Sequence, residues 1–112
     1  MDQAGAMSPT QIEAIIREAA AEDRYGLYEI IWTLNARFPE IDEAVKIAAS
    51  RPVLRVLLER GVVSIYEQPW AKPDVSAPLS MHDALARMTP DEAWRVGDVN
   101  LTFDLADGSH AT

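Results

Sequence analysis

The 112 residues contain no cysteine, which excludes structural disulfides and thiolate zinc sites and suits a reducing compartment. Histidine is nearly as scarce. His82 stands beside Asp83 at a helix start and His110 lies near the end of the chain, so no metal site is expected. No apolar run approaches the roughly 20 residues that span a bilayer. Residues 1–7 lack the basic cluster and apolar centre of a signal peptide, so a cytoplasmic protein with no membrane association is expected. There is no phosphate-binding loop and no nucleophile motif. Glu13, Glu18 and Glu22 read as ordinary helix-surface acids, so neither an enzyme nor a cofactor is expected. Positive charge is also in short supply, with 10 Lys and Arg against 18 Asp and Glu and a formal charge of −8. Duplex DNA is held mainly by Lys and Arg displacing counterions, so an acidic chain must concentrate its cations on one face to bind it. Otherwise the excess acid favours basic partners.

What is present makes one domain, residues 8–106, between a disordered start (1–7) and a flexible end (107–112). Ser8 is a helix cap, Pro9 fits the first helical position and Gln11 completes a capping box. Ile12, Ile15, Ile16, Ala19 and Ala20 follow at helical spacing, and the helix should end near Glu22. Asp23 is the expected cap of a second helix with the stripe Leu27, Ile30, Ile31 and Leu34. Gly26 weakens its first turn by about 1 kcal/mol relative to Ala, which close packing against a neighbour would explain. Trp32 and Tyr28 lie partly off the stripe, and Trp32 is expected to be structural.

Phe38-Pro39 stops this helix, because a residue before proline is pushed out of the helical region. A third helical run starts near Asp42 and ends at Gly61, a left-handed cap position. Its expected apolar face is Val45, Ala48, Ala49, Pro52, Val53, Val56 and Leu57, with a kink or break at Arg51-Pro52. Residues 62–67 read as a strand, 68–80 as a proline-stiffened loop, and Ser80 as the cap of a short helix through Met88. Thr89-Pro90-Asp91-Glu92 repeats the start grammar of cap, first-position proline and box glutamate. Val99, Leu101, Phe103 and Leu105 alternate with Asn100, Thr102 and Asp104, which predicts a strand with one buried face paired antiparallel to residues 62–67.

Helix, tight turn, longer helix, glycine, strand is an order that resembles a winged helix-turn-helix domain. The expected class is α+β, mainly α: three N-terminal helices, then a two-stranded antiparallel wing opened by a small helical insertion. The string Tyr25-Gly26-Leu27-Tyr28-Glu29-Ile30-Ile31-Trp32 and the later Leu57-Leu58-Glu59-Arg60-Gly61-Val62-Val63 are also similar to small uncharacterised bacterial proteins. In a winged helix the third helix is the reader of DNA, which here would use Lys46, Arg51, Arg55 and Arg60. Glu59 four residues after Arg55 offers the alternative of a solvated helix face. Tyr66, Trp70 and Lys72, near the end of the first wing strand and among prolines, fit a protein-partner hot spot; folding of Trp70 back over the core is the alternative. Trp94 is expected in the core. The leading functional expectation is a non-enzymatic binder of another protein, such as a neutralising, immunity-type partner of a basic protein. A DNA-binding regulator, with dimerisation left open, is the alternative.

Overall fold

The computed structural model describes residues 7–69 and 77–106. Residues 1–6, the loop positions Trp70 and Lys72, and residues 107–112 lie outside that range, and so do the expectations placed on them. The first helix, α1 (Pro9–Glu22), begins as its sequence dictates. Ser8 Oγ accepts from the Gln11 N–H at 3.2 Å, and Gln11 Oε1 accepts from the Ser8 N–H at 3.0 Å, so two otherwise orphaned donors are satisfied.

The second helix does not start at Asp23. That residue ends α1, its N–H donating to the Ala19 carbonyl at 3.1 Å. Tyr25–Gly26 then forms a two-residue strand, β1, and Gly26 caps α2 (Leu27–Arg37). The missing side-chain cap is replaced by Glu29, whose carboxylate accepts from the Gly26 N–H at 2.9 Å and places negative charge at the positive end of the helix. The stripe Leu27, Ile30, Ile31 and Leu34 is buried as expected, and Phe38 closes the helix.

The helix α3 (Glu43–Glu59) continues unbroken through Pro52, so the break allowed for at Arg51-Pro52 does not occur. Proline removes one N–H and crowds one turn, a cost of about 3 kcal/mol that the packing of the inner face offsets. That inner face matches the expected one only in part: Leu57 is buried and Ala49 and Val53 are half-buried against the core, but the face is rotated from the one expected. Lys46, Ile47, Ser50, Leu54, Leu57 and Leu58 are buried, while Val45, Ala48, Pro52 and Val56 face outward. Gly61 ends the run with φ of 74°, the left-handed conformation that glycine adopts without penalty.

The strand β2 (Val63–Pro69) starts one residue later than expected and pairs antiparallel with β3 (Val99–Leu105) from Val63↔Leu105 to Pro69↔Val99. A third strand completes the sheet: β1 pairs with the other edge of β3, Tyr25 opposite Phe103, giving the order β1-β3-β2. Side chains on both faces of β3 are buried, Asn100, Thr102 and Asp104 along with Leu101 and Phe103. The single buried face expected from its alternation is thus corrected. Between β2 and β3 stands α4 (Met81–Met88), with Ser80 Oγ accepting from the Asp83 N–H at 3.1 Å. Thr89 does not cap a new helix. It ends α4, its hydroxyl donating to the Leu85 carbonyl at 2.7 Å, and Asp91–Trp94 forms only a 3-10 turn. The architecture is α+β and mainly helical, with four helices and a three-stranded antiparallel sheet among the described residues. No described helix is long and apolar enough to cross a membrane.

Candidate partner-binding site

The cations proposed for DNA do not form one free basic patch: Arg51 and Arg55 line the same groove beside α4, but Lys46 is withdrawn from the surface. Lys46 is only 2% exposed; its stem lies in the core between α2 and α3, and Nζ donates to Asn35 Oδ1 at 2.6 Å. Arg51 is ion-paired to Asp91 of the 3-10 turn, and Arg55 Nε donates to Glu59 at 3.1 Å. Arg60 is exposed at the end of α3. Elsewhere Arg17 pairs with Glu13, Arg24 with Asp104, Arg87 with Glu67 and Arg95 with Glu43. Most arginines of the described residues therefore serve internal acids, and the uncompensated surface charge is negative. Lys46 follows the logic of a long side chain that buries its methylenes and leads its ammonium to a polar tip. Lys46→Met is expected to leave stability within about 1 kcal/mol, whereas Lys46→Ala should cost about 2–4 kcal/mol through the void it opens. Urea denaturation of the two variants checks this.

Tyr66 is also committed. The Arg24 guanidinium lies 3.6 Å from its ring centroid, and the same guanidinium donates to Asp104 Oδ2 through Nε at 3.2 Å and Nη2 at 3.0 Å. Burial, and then the Asp104 carboxylate, raise the phenol pKa above its ordinary value despite the opposing pull of Arg24. Tyr66 belongs to a packed polar cluster on β2 and β3.

The exposed aromatic is on α2. Trp32, expected to be structural, is 57% exposed and meets Tyr28 in a T-shaped contact at 4.9 Å. Tyr28 in turn lies back over Gly26: a Cβ on Gly26 would come within 2.3 Å of the Tyr28 ring. This is the close packing that the glycine permits. The result is an indole held on a rigid helix by a partner ring, with little side-chain entropy left to lose on binding. The signal was in the sequence, since Tyr28 and Trp32 are four apart and out of phase with the apolar stripe.

Three residues from Trp32, and so adjacent to it on the helix surface, Glu29 borders a cleft of ≈ 390 Å³ between α1 and α2. Glu18 and Glu22 form its α1 wall, and Ile15, Ile30 and Phe103 contribute apolar surface. Tyr25 donates its phenol proton to Glu22 Oε1 at 2.6 Å. That hydrogen bond, with desolvation and the charges of Glu22, Glu29 and Asp23, raises the Tyr25 pKa above its ordinary value. Arg37 and Thr33 stand on the α2 side. Among the described residues, no group of three or more His, Asp or Glu could hold a metal ion. The chemistry on offer is a carboxylate-lined recess beside an exposed indole, suited to guanidinium or ammonium groups through ion pairing and cation–π contact.

Comparison with known proteins adds no family. No family model matches the chain, and no curated protein or solved structure matches it.

Proposed function

We propose that the chain is a non-enzymatic, winged helix-like protein that binds a basic protein, with the α2 surface around Trp32 and the Glu18–Glu22–Glu29 cleft as its contact. The winged comparison is supported by α2 and α3 joined by a short turn, followed by β2 and β3 paired as a ribbon, with α4 and the 3-10 turn as the insertion between them. The observation that carries the functional reading is the exposed Trp32, clamped by Tyr28 beside an acid-lined cleft in a chain of charge −8. Large aromatics held rigid supply most of the energy in many interfaces, and the acids would speed encounter with a positively charged surface. A neutralising, immunity-type partner of a nucleic-acid-binding protein fits that description, and a cysteine-free chain suits a cytoplasmic setting.

The competing proposal, a DNA-binding regulator reading with α3, has less support: Lys46 is buried, and Arg51 and Arg55 already answer acids. Two measurements separate them. The tagged protein should co-purify with a basic protein from its own cell, in an association that weakens with salt and is lost in Trp32→Ala and in Glu18→Gln/Glu22→Gln, all at surface positions. Retention by both variants would sink the α2 reading. Binding of random duplex DNA with a steep inverse salt dependence, lost in Arg55→Glu, would favour the regulator instead.

A further inference from the structure

The outward side of α3 is an apolar row with opposite charges at its two ends. Val45 and Val56 are 51% and 42% exposed, and Ala48 and Pro52 are exposed between them. Spacings of three and four place these four residues in one line along the helix. Shallow grooves flank the row, one of ≈ 290 Å³ against Pro9 of α1 and one of ≈ 490 Å³ floored by Leu85 and Met88 of α4. Asp42 caps the start of α3 without a side-chain capping bond, and Arg60 caps its end. Both are exposed, and neither belongs to an ion pair among the described residues. About five helical turns separate them, a nearly whole number, so the two charges stand on the same side of the row.

We propose that this row is the contact between two copies of the chain, packed α3 against α3 in antiparallel. A two-fold axis near Arg51 sets Val45 opposite the partner's Val56 and Ala48 opposite the partner's Pro52. The same operation brings Asp42 beside the partner's Arg60, and symmetry makes each contact twice. A parallel pair would oppose Asp42 to Asp42 and Arg60 to Arg60. Glu59 continues the row past Val56, but its carboxylate is already held by Arg55. Ala48 is small enough for the helix axes to approach to about 8–10 Å, and the flanking grooves can accept the valines of the opposite ridge. The charge of −8 on each copy opposes association at long range. Salt screens that repulsion beyond about 10 Å, so an apolar contact survives high salt where a contact with a basic partner weakens.

Sedimentation equilibrium of the full chain across a concentration series, at low and high salt, tests this. A monomer–dimer equilibrium that persists at high salt is expected. Val56→Asp should weaken it by roughly a hundredfold, since each copy would bury a carboxylate in the contact. Arg60→Glu should weaken it about tenfold, because two exposed pairs become two repulsions, and Asp42→Lys combined with Arg60→Glu should restore it. Far-UV circular dichroism confirms that each variant is folded. A monomer at every concentration, or a dimer indifferent to Val56→Asp, overturns the proposal. Failure of the charge exchange to restore association overturns the antiparallel register.

Discussion

Trp94→Ala is expected to cost about 3–5 kcal/mol, a loss typical of deleting a fully buried aromatic. The indole is 1% exposed and packs in the main core, while Nε1 donates to the Met88 carbonyl at 2.8 Å. Two other contacts join the 3-10 turn and its neighbour to α3, the pairs Arg51–Asp91 and Arg95–Glu43. Both are at least partly solvated, and such pairs are worth about 0–1 kcal/mol each, so Trp94 is the anchor and the ion pairs are accessories. A drop in melting temperature on the order of 15 °C should follow. Trp94→Phe keeps most of the apolar volume but loses the N–H donor, leaving the Met88 carbonyl unmet, and should cost about half as much. Urea and thermal unfolding followed by circular dichroism measure both variants. A loss below about 1 kcal/mol for Trp94→Ala would mean that the indole is not where the fold places it.

Phe103→Ala should be as damaging, about 3–5 kcal/mol, for a different reason. Phe103 lies on the central strand, opposite Tyr25 on one side and Ile65 on the other, and it also lines the α1–α2 cleft. Its removal opens a void at the junction of all three strands and deepens the cleft. Phe103→Leu should recover much of the stability, because the volume change is smaller. The two aromatic deletions then differ in a second readout. Trp94 is remote in sequence and role from the carboxylates, whereas loss of Phe103 should also loosen Tyr25 and its bond to Glu22. The Tyr25 phenol would then titrate closer to an ordinary tyrosine, which ultraviolet absorbance at alkaline pH reports.

Much of this arrangement could be read from residue order, because its signals were local. The Ser8–Gln11 box, the stripe Leu27, Ile30, Ile31 and Leu34, and Gly61 each rest on chemistry within one or two turns. The β2–β3 pairing was legible from β-branched and alternating patterns. Residues 43–59 were harder, since they offer two apolar rows. The row with valines, alanines and Pro52 looked continuous, while the inner one is interrupted by Lys46 and Ser50. Side-chain size was the better guide, because Ile47, Leu54, Leu57 and Leu58 bury more area than the alanines and Pro52 of the outer row. A strand of two residues has no periodicity, so β1 could not be seen. It exists because β3 presents a free edge to Tyr25 and Gly26. Alternation in β3 suggested one wet face because its polar side chains look solvated, whereas Asp104 is met by Arg24 and Asn100 by the Gly97 backbone, contacts that residues 99–105 alone do not state. The α1–α2 cleft was invisible as well, since Glu18, Glu22 and Glu29 come from two helices whose mutual placement is tertiary.

The position of β3 carries a consequence for biosynthesis. Residues 99–105 come last among the described elements, yet both other strands dock on them. As the chain leaves the ribosome, the helices can assemble early, but β1 and β2 have nothing to zip onto until that final stretch arrives. Closing so long a loop is slow compared with forming helices. A nascent chain halted before residue 99 therefore displays Ile65 and the unmet edges of two strands, a form that quality-control proteases and chaperones would recognise.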